Sequence, residues 1–383
     1  MRVRHLWLGG AGLFALALAG FGLWLLHLPT PVALANPPTL AQAETDALLA
    51  ALKPPKRARP LVAVVGINDA TETTDYLVPT GILRRADVAD VRMLASAPGP
   101  VRLFPALTVQ PDATVAAFDT RHPDGADYVI VPAMSRDDDP AVLAWLRAQA
   151  DKGAIIIGVC AGAKVVAAAG LLDGKRATTH WYYREQLLQR NPSIHYVANR
   201  RIVVDHGVAT TTGISASLPM MLTLVQAIAG RDKAQAVAAQ LGMVRWDAGH
   251  DSGRFQFTRP FASTVLANTL AFWQREELGI LLQLGMDEVS LALAADAWSR
   301  TYRSRVSSFA FSSAAVDTWN GVQVIPDGVA GEWPVDRRVT SFARQAPARV
   351  LDHTLTAIAA RYGEPTADVV AMQLEYPREV TRR

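Results

Sequence analysis

Short aliphatic runs alternate with stretches of helical spacing through the first half of the chain. Residues 61–65, 128–132 and 153–159 are rich in Val and Ile, which is typical of buried strands. After Asp139, apolar residues recur at helical spacing, and Asp139 followed by Pro140 is typical of a helix start. Strands that alternate with helices form a largely parallel sheet covered on both faces. The pattern therefore predicts an α/β fold.

The N-terminal run is different, because residues 6–26 carry no charge over 21 positions. That length suits one helix across a bilayer. Residues 1–28 are predicted to be a transmembrane anchor or a signal, and the Pro/Ala-rich residues 29–60 a tether. Arg2 and Arg4 favour a cytoplasmic N-terminus, which makes this a single-pass protein of the inner membrane with an extracytoplasmic body. The alternative is a secreted or periplasmic protein, cleaved near Ala35.

The chain also resembles itself. Residues 91–112 align without gaps onto 306–327 at an offset of 215, and 234–241 align onto 367–374 at an offset of 133. The second copy therefore lacks about 82 residues, the block that holds Cys160 in the first. We predict a domain at 61–245, a turn-rich linker at 246–276 and a degenerate half-repeat at 277–383. The alternative is an unrelated α/β appendage.

Composition narrows the classes of function. A net charge of +3 over 383 residues is too weak for a nucleic-acid binder. The single cysteine excludes an intramolecular disulfide and a multi-cysteine zinc site. His250 and Asp251 match no standard metal-ligand spacing. No cofactor and no metal are expected.

Cys160 lies between a predicted strand and a predicted helix, in the string Gly158-Val-Cys-Ala-Gly162. This is the layout of a nucleophile elbow, in which small flanking residues permit a sharp turn. The helix N-terminus favours a thiolate there. The backbone N–H of Ala161 would stabilise a developing negative charge. Burial as a small hydrophobic residue is the alternative for this cysteine.

The strings downstream of the elbow carry a resemblance. Ala-Gly-Leu-Leu-Asp-Gly at 169–174, Ala-Thr-Thr-His-Trp at 177–181 and Thr-Thr-Gly-Ile-Ser-Ala at 211–216 resemble the ThiJ/PfpI family of the class I glutamine-amidotransferase-like superfamily. Within it, the chain is most similar to isonitrile hydratases and to the N-terminal domain of AraC-type regulators. The resemblance covers about residues 60–245. It implies a flavodoxin-like α/β/α sandwich with a parallel sheet.

The resemblance also implies roles for single residues. Cys160 falls at the family's nucleophile, and His180 at the histidine that acts as base or stabilises the thiolate. Asp75 matches the family's acidic partner, with Glu72 in reserve. Two departures stand out: Ala161 follows the cysteine where isonitrile hydratases carry Thr, and Ala133-Met134 replaces a Gly-Gly pair that supplies a second oxyanion donor.

Three functions follow from these residues. The first is a thiol enzyme acting on a small molecule, hydrolase- or hydratase-like. The second is a non-catalytic ligand- or redox-sensing module, related to the regulators but without their helix-turn-helix units and therefore without DNA binding. A peptidase is third. The half-repeat would make the chain an intramolecular pseudo-dimer; the alternative is a homodimer.

Overall fold

The computed structural model describes residues 19–30, 40–329, 333–339, 342 and 345–378. Its strands are β1 (Leu61–Gly66), β2 (Asp69–Glu72), β3 (Asp90–Ala95), β4 (Val101–Phe104), β5 (Thr108–Gln110), β6 (Ala113–Thr114), β7 (Tyr128–Val131), β8 (Ile155–Gly158), β9 (Arg176–Ala177), β10 (His195–Tyr196), β11 (Ile202–Asp205), β12 (Val208–Thr211), β13 (Glu276–Leu281), β14 (Ser304–Ala310), β15 (Val316–Asp317), β16 (Gln323–Ile325) and β17 (Gly328–Val329).

Its helices are α1 (Gln42–Ala51), α2 (Thr73–Ala86), α3 (Val115–Arg121), α4 (Pro140–Asp151), α5 (Gly162–Ala168), α6 (Arg184–Arg190), α7 (Ser217–Ala229), α8 (Arg231–Leu241), α9 (Arg259–Leu270), α10 (Glu288–Ser299), α11 (Pro347–Tyr362) and α12 (Glu364–Gln373). Short 3₁₀ turns lie at Trp181–Tyr183, Ile214–Ala216, Phe272–Gln274 and Val335–Arg337.

A seven-stranded sheet in the order β11-β12-β8-β7-β1-β3-β6 forms the first unit. Every neighbouring pair in it is parallel except β11–β12. Side chains of β1 alternate between two cores: Val62 and Val64 pack with α2 and α7, whereas Ala63 and Val65 pack with α4 and α5. Helices thus cover both faces of the sheet, and the predicted α/β class is confirmed.

The second unit follows the first element by element. Leu94 of β3 pairs with Ala113 of β6, and Phe309 of β14 pairs with Gly328 of β17, each 215 positions later. The same offset relates β4 and β5 to β15 and β16. Helices α8 and α12 begin 133 positions apart, each after a glycine of positive φ. The two units therefore share the strand order of these elements, and they share the register of the pairs β3–β6 and β14–β17.

The two units are related by an approximate local two-fold axis at their interface. Strand β16 pairs antiparallel with β5, and Val324 stands opposite Val109, the residue 215 positions before it. Helices α2 and α10 pack against each other, and the core is continuous across them. Equivalent positions that face each other are what an isologous interface produces.

The predicted tether and the predicted linker each contain a helix. Within the predicted tether, residues 42–51 form α1, and Leu52 is buried against Tyr128, whose hydroxyl donates to its carbonyl. Within the predicted linker, α9 begins at Arg259, capped by the hydroxyl of Thr258. Helix α1 has no fully buried residue of its own and is held by Leu52 after it, whereas α9 buries Phe261, Ala262 and Asn268.

The predicted apolar span at 6–26 falls mostly on residues 1–18, which lie outside the described residues. Residues 19–27 are helical, and the Trp24 ring lies 6.1 Å from that of Phe257. Across the described part of the chain, no helix has both the length and the apolar character needed to cross a membrane.

Candidate active site

Cys160 sits at a sharp turn between β8 and α5. Its φ of +56° is one that a non-glycine residue adopts at an energetic cost. The turn is held by two threonines: the Cys160 N–H donates to Oγ1 of Thr211 (3.1 Å), and Oγ1 of Thr179 donates to the Cys160 carbonyl (3.1 Å). The structure therefore contains the strained elbow that the Gly-x-Cys-x-Gly string predicts.

Gly162 makes that elbow sterically feasible. A Cβ at this position would overlap the carbonyl oxygen of Val131 on the neighbouring strand. We expect Gly162→Ala to lower the free energy of unfolding by about 3 kcal/mol, since the backbone must move to relieve the overlap. Urea denaturation would measure it. Gly328→Ala is the control, because a Cβ there meets nothing within 4 Å; equal stability of the two variants would contradict the geometry.

The thiol is buried and protonated at neutral pH. Cys160 is 4% exposed, and burial raises the pKa of its thiol well above the usual value, aided by the nearby charges of Asp75 and Glu72. The N–H of Ala161 donates toward the thiol and acts in the opposite direction, with a smaller effect on the pKa. The helix N-terminus does not offset the cost of burial, so the thiolate expected from the sequence is not the resting form.

Asp75 faces this thiol from the first turn of α2. Oδ2 accepts the N–H of Ala133 (3.0 Å), whereas Oδ1 is buried with no hydrogen-bond partner among the described residues. Burial raises the pKa of Asp75 to about 7. This carboxyl can hold or release a proton at neutral pH. The N–H of Ala133 is engaged by Asp75, although the Gly-Gly pair it replaces was expected to supply a second oxyanion donor.

Glu72 and Arg300 stand behind Asp75. The Glu72 carboxylate caps α2 by accepting the N–H of Asp75, and its Oε1 accepts from Arg300 (2.9 Å). Arg300 also pairs with Asp296 at 2.6 Å. Burial nevertheless raises the pKa of Glu72 well above the usual value. Glu72 thus orients Asp75 through its backbone and is itself anchored by the second unit.

His180 is engaged elsewhere. Its Nδ1 accepts the N–H of Tyr182 (3.2 Å), so the proton is on Nε2, which donates to the carbonyl of Gln373 (2.9 Å). Burial lowers the pKa of His180, and the ring is neutral. With both nitrogens occupied, His180 does not take a proton from Cys160 in this arrangement. It positions the segment that follows the elbow.

Comparisons with known proteins identify the family of the first unit. The profile of the DJ-1/PfpI family matches residues 62–227. A protein of Streptomyces lividans, described as uncharacterized, is 34% identical over 143 residues, which are 36% of this chain and 99% of that protein. The chain belongs to the DJ-1/PfpI family. The resemblance read from the strings at 169–174, 177–181 and 211–216 is thereby confirmed.

Other relatives of this DJ-1/PfpI protein are matched over part of their length. The isonitrile hydratase of Pseudomonas putida is 41% identical over 105 residues, 27% of this chain and 44% of that enzyme. The transcriptional regulator CdhR of Pseudomonas aeruginosa is 33% identical over 117 residues, 30% of this chain and 34% of the regulator. Among solved structures, a DJ-1 superfamily protein of Salmonella typhimurium has 25% identity and a TM-score of 0.43, covering 49% of this chain and 100% of that one.

In this DJ-1/PfpI protein the second unit completes the site, which sequence reasoning missed. Arg300 and the carbonyl of Gln373 reach Glu72 and His180. Glu375, 3% exposed with a φ of +53°, accepts the N–H of Gly213 and pairs with His250 (2.9 Å). One signal was available: Glu375 lies 133 positions after Gly242, a glycine of positive φ. A carboxylate-bearing residue at a position whose counterpart in the first unit is a glycine of positive φ indicates a functional role for Glu375.

His250, which matches no standard metal-ligand spacing, packs flat on Phe255 and pairs with Glu375. Across the ranges that the structure describes, no group of three or more His, Cys, Asp and Glu side chains is arranged to hold a metal ion. The chemistry available at this site is that of a thiol, a carboxyl near neutrality and the N–H of Ala161.

Proposed function

We propose that this protein hydrates a small electrophile, such as an isonitrile, through Cys160, with Asp75 transferring the protons. The observation that carries the proposal is the unpartnered Oδ1 of Asp75, which lies buried in the described structure close enough to Cys160 for its charge to raise the pKa of the thiol. A buried polar atom without a partner lowers the stability of the fold, and proteins retain such atoms mainly where function uses them. The Pseudomonas putida relative, an isonitrile hydratase, supports the same chemistry.

The proton count suits an isonitrile. Asp75 gives its proton to the terminal carbon as Sγ of Cys160 bonds to that carbon, and the thiol proton passes to the carboxylate left behind. The product is a thioimidate, R–N=CH–S. Water then adds to its carbon, the C–S bond breaks, and the formamide R–NH–CHO leaves while the thiol is reformed. The net reaction adds one water and needs no oxidant or reductant. The N–H of Ala161 stabilises negative charge on sulfur as the S–H bond breaks.

The neutral resting state fits this sequence of steps. A thiol and a carboxylic acid side by side hold the protons that the addition must deliver. With a preformed thiolate, Asp75 would still protonate the carbon, but no thiol proton would then restore the Asp75 carboxyl group. The raised pKa values of Cys160 and Asp75 argue against a resting thiolate. They are compatible with concerted addition, in which the bond to sulfur forms as the proton is transferred.

The test is turnover of benzyl isonitrile by the full-length protein, followed by the loss of the infrared N≡C stretch and the appearance of formamide. We expect Cys160→Ala to abolish turnover and Asp75→Asn to lower kcat by about 100-fold or more, the usual effect of losing an acid–base group. His180→Gln is expected to act mainly through KM. Asp139→Asn, which changes a partly buried helix cap outside the site, is the control and should leave turnover unchanged.

Formamide production by Cys160→Ala at the unsubstituted rate would refute the thiol mechanism. A complete lack of turnover, with a rise in melting temperature on adding the isonitrile, would support the second candidate instead. That candidate is a ligand-sensing module. It is favoured by the 4% exposure of Cys160, by the full occupancy of both His180 nitrogens, and by the regulators among the relatives.

We also propose that residues 6–26 anchor the protein in the inner membrane, with the body on the extracytoplasmic side. The support is the uncharged 21-residue run and the arginines that precede it. Membrane fractions washed with alkaline carbonate should retain the full-length chain. Release of an intact chain, or of one that begins near Asn36, would count against the anchor.

A further inference from the structure

A cavity of about 700 Å³ lies where the two units meet, and Cys160 is not among the residues that line it. Its floor is the end of β13 and the first turn of α10, and α2 of the first unit forms one side. The residues that matter below are Arg85, Met286, Asp287, Ser290, Phe309 and Phe342. This volume is in the range of pockets that hold small organic ligands.

The cavity is the counterpart of the cysteine site under the two-fold relation. Asp287 and Ser290 lie 215 positions after Glu72 and Asp75, and the Asp287 carboxylate accepts the N–H of Ser290 as Glu72 accepts that of Asp75. Arg85 pairs with Asp287 across the interface as Arg300 pairs with Glu72. Gln240, which lines the cavity, lies 133 positions before Gln373.

The second unit lacks the block of about 82 residues that carries the elbow. In the first unit, Cys160 and α5 lie beside Asp75. Beside Ser290 there is instead a cavity, open to one side. The second site therefore retains the acidic helix cap and the arginine paired with it, but it has no nucleophilic cysteine.

Three buried polar atoms of residues that line this cavity have no partner within the described residues: Oγ of Ser290, Nε of Arg85 and Oε1 of Gln345. Ser290 is 1% exposed and the Arg85 side chain 3% exposed. The Arg85 guanidinium is held in place by Asp287 and by the Trp319 ring, 4.9 Å from its centroid. Oγ of Ser290 and Nε of Arg85 can donate, so the partner missing at the polar floor is an acceptor, whereas Oε1 of Gln345 is itself an acceptor.

The rest of the lining is largely apolar. Ile280, Met286, Phe309 and Phe342 surround the space beyond the polar floor, and Gln240, Gln283 and Gln345 also line it. Among the described lining residues, the cationic side chains of Arg85 and Arg338 outnumber the one carboxylate, that of Asp287. A largely apolar chamber that offers donors and more cationic than anionic side chains fits an apolar molecule with an anionic head.

We propose that this cavity binds a small amphiphilic carboxylate, its head on Arg85 and Ser290 and its apolar body against Met286, Phe309 and Phe342. The ligand binds in this cavity and undergoes no reaction there. It is independent of the reaction proposed for Cys160, because the two share no side chain that either uses directly.

The test is isothermal titration of the full-length protein with octanoate, octanol and octylammonium, which share a chain and differ in head group. We expect octanoate to bind at least about tenfold more tightly than octanol, and octylammonium not to bind, as the loss or reversal of a charge-assisted contact implies. Ser290→Ala and Arg85→Gln should each weaken octanoate binding by about fivefold or more. Ser290→Ala removes only an unpartnered hydroxyl, so it should fold.

Arg300→Gln is the matched control, because it removes the equivalent ion pair beside Cys160 and should leave octanoate affinity unchanged. Cys160→Ala should leave it unchanged as well. Equal affinity for octanoate and octanol, unaltered binding in Ser290→Ala, or an absence of binding would each overturn the proposal. Weakening by Arg300→Gln but not by Arg85→Gln would place the ligand at the cysteine site and overturn it too.

Discussion

Replacing Arg300 by methionine should lower the free energy of unfolding at pH 8 by about 3–5 kcal/mol, the usual cost of removing one partner from a buried ion pair. Arg300 joins Glu72, whose side chain is 8% exposed, and Asp296, whose side chain is fully buried. Without the guanidinium, two carboxyl groups remain in a site that water cannot reach. Urea denaturation followed by circular dichroism would measure the loss.

The pH dependence and the counterpart residue make this prediction specific. At pH 5 the loss should be smaller, because the abandoned carboxyl groups take up protons. Arg85→Met removes the equivalent pair in the other half, where the Asp287 side chain is 18% exposed, so it should cost less. An Arg300→Met loss that is independent of pH, or no larger than that of Arg85→Met, would contradict the proposed burial of these charges.

Asp75→Asn should flatten the dependence of stability on pH. The ordinary carboxyl pKa of 3.8 applies to the unfolded chain, and that of Asp75 is about 7 in the fold. Between these values the folded protein keeps a proton that the unfolded chain has lost. Rising pH therefore lowers the free energy of unfolding, by about 1.4 kcal/mol per pH unit and about 4 kcal/mol in all. The stability from this group is complete below pH 4 and lost as the pH rises through 7.

Urea denaturation of Asp75→Asn at pH 5, 6, 7 and 8 would show the effect as a shallower slope than that of the unsubstituted chain. The slope that remains belongs to other groups, among them Glu72, whose pKa is also raised. Asp139→Asn should retain the full slope. Identical slopes for Asp75→Asn and the unsubstituted chain would mean that Asp75 is ionised in the fold at pH 5, and its role as a proton donor near neutrality would be lost.

Local sequence was sufficient for the elbow and for the acid beside it. The pattern Gly-x-Cys-x-Gly predicted a turn, and Cys160 has the positive φ that such a turn needs. Asp75 was placed by the resemblance to the ThiJ/PfpI family, whose acidic partner follows the first strand, with Glu72 in reserve. Both inferences also rest on the alternation of strands and helices along the chain, which fixes where each segment lies in a parallel sheet.

His180 shows where local sequence was insufficient. The family strings gave its position, but its hydrogen bonds depend on the carbonyl of Gln373, 193 residues away. Any residue supplies a backbone carbonyl, so no motif marks such a partner. The thiol pKa was likewise expected to fall at a helix N-terminus, and burial beside Asp75 and Glu72 raised it instead. Desolvation depends on everything packed around a group, which composition and spacing do not specify.

By itself, the sequence determined the parallel α/β frame, the family and the turn that presents Cys160, because strand patterns, family strings and small residues at a tight turn are local properties. Only the tertiary structure decided which groups act on that cysteine. Arg300 and Glu375 come from the second unit, and the cavity at Ser290 exists because two distant segments meet there. Electrostatics and cavities are set by groups brought together in space, and those groups are far apart along this chain.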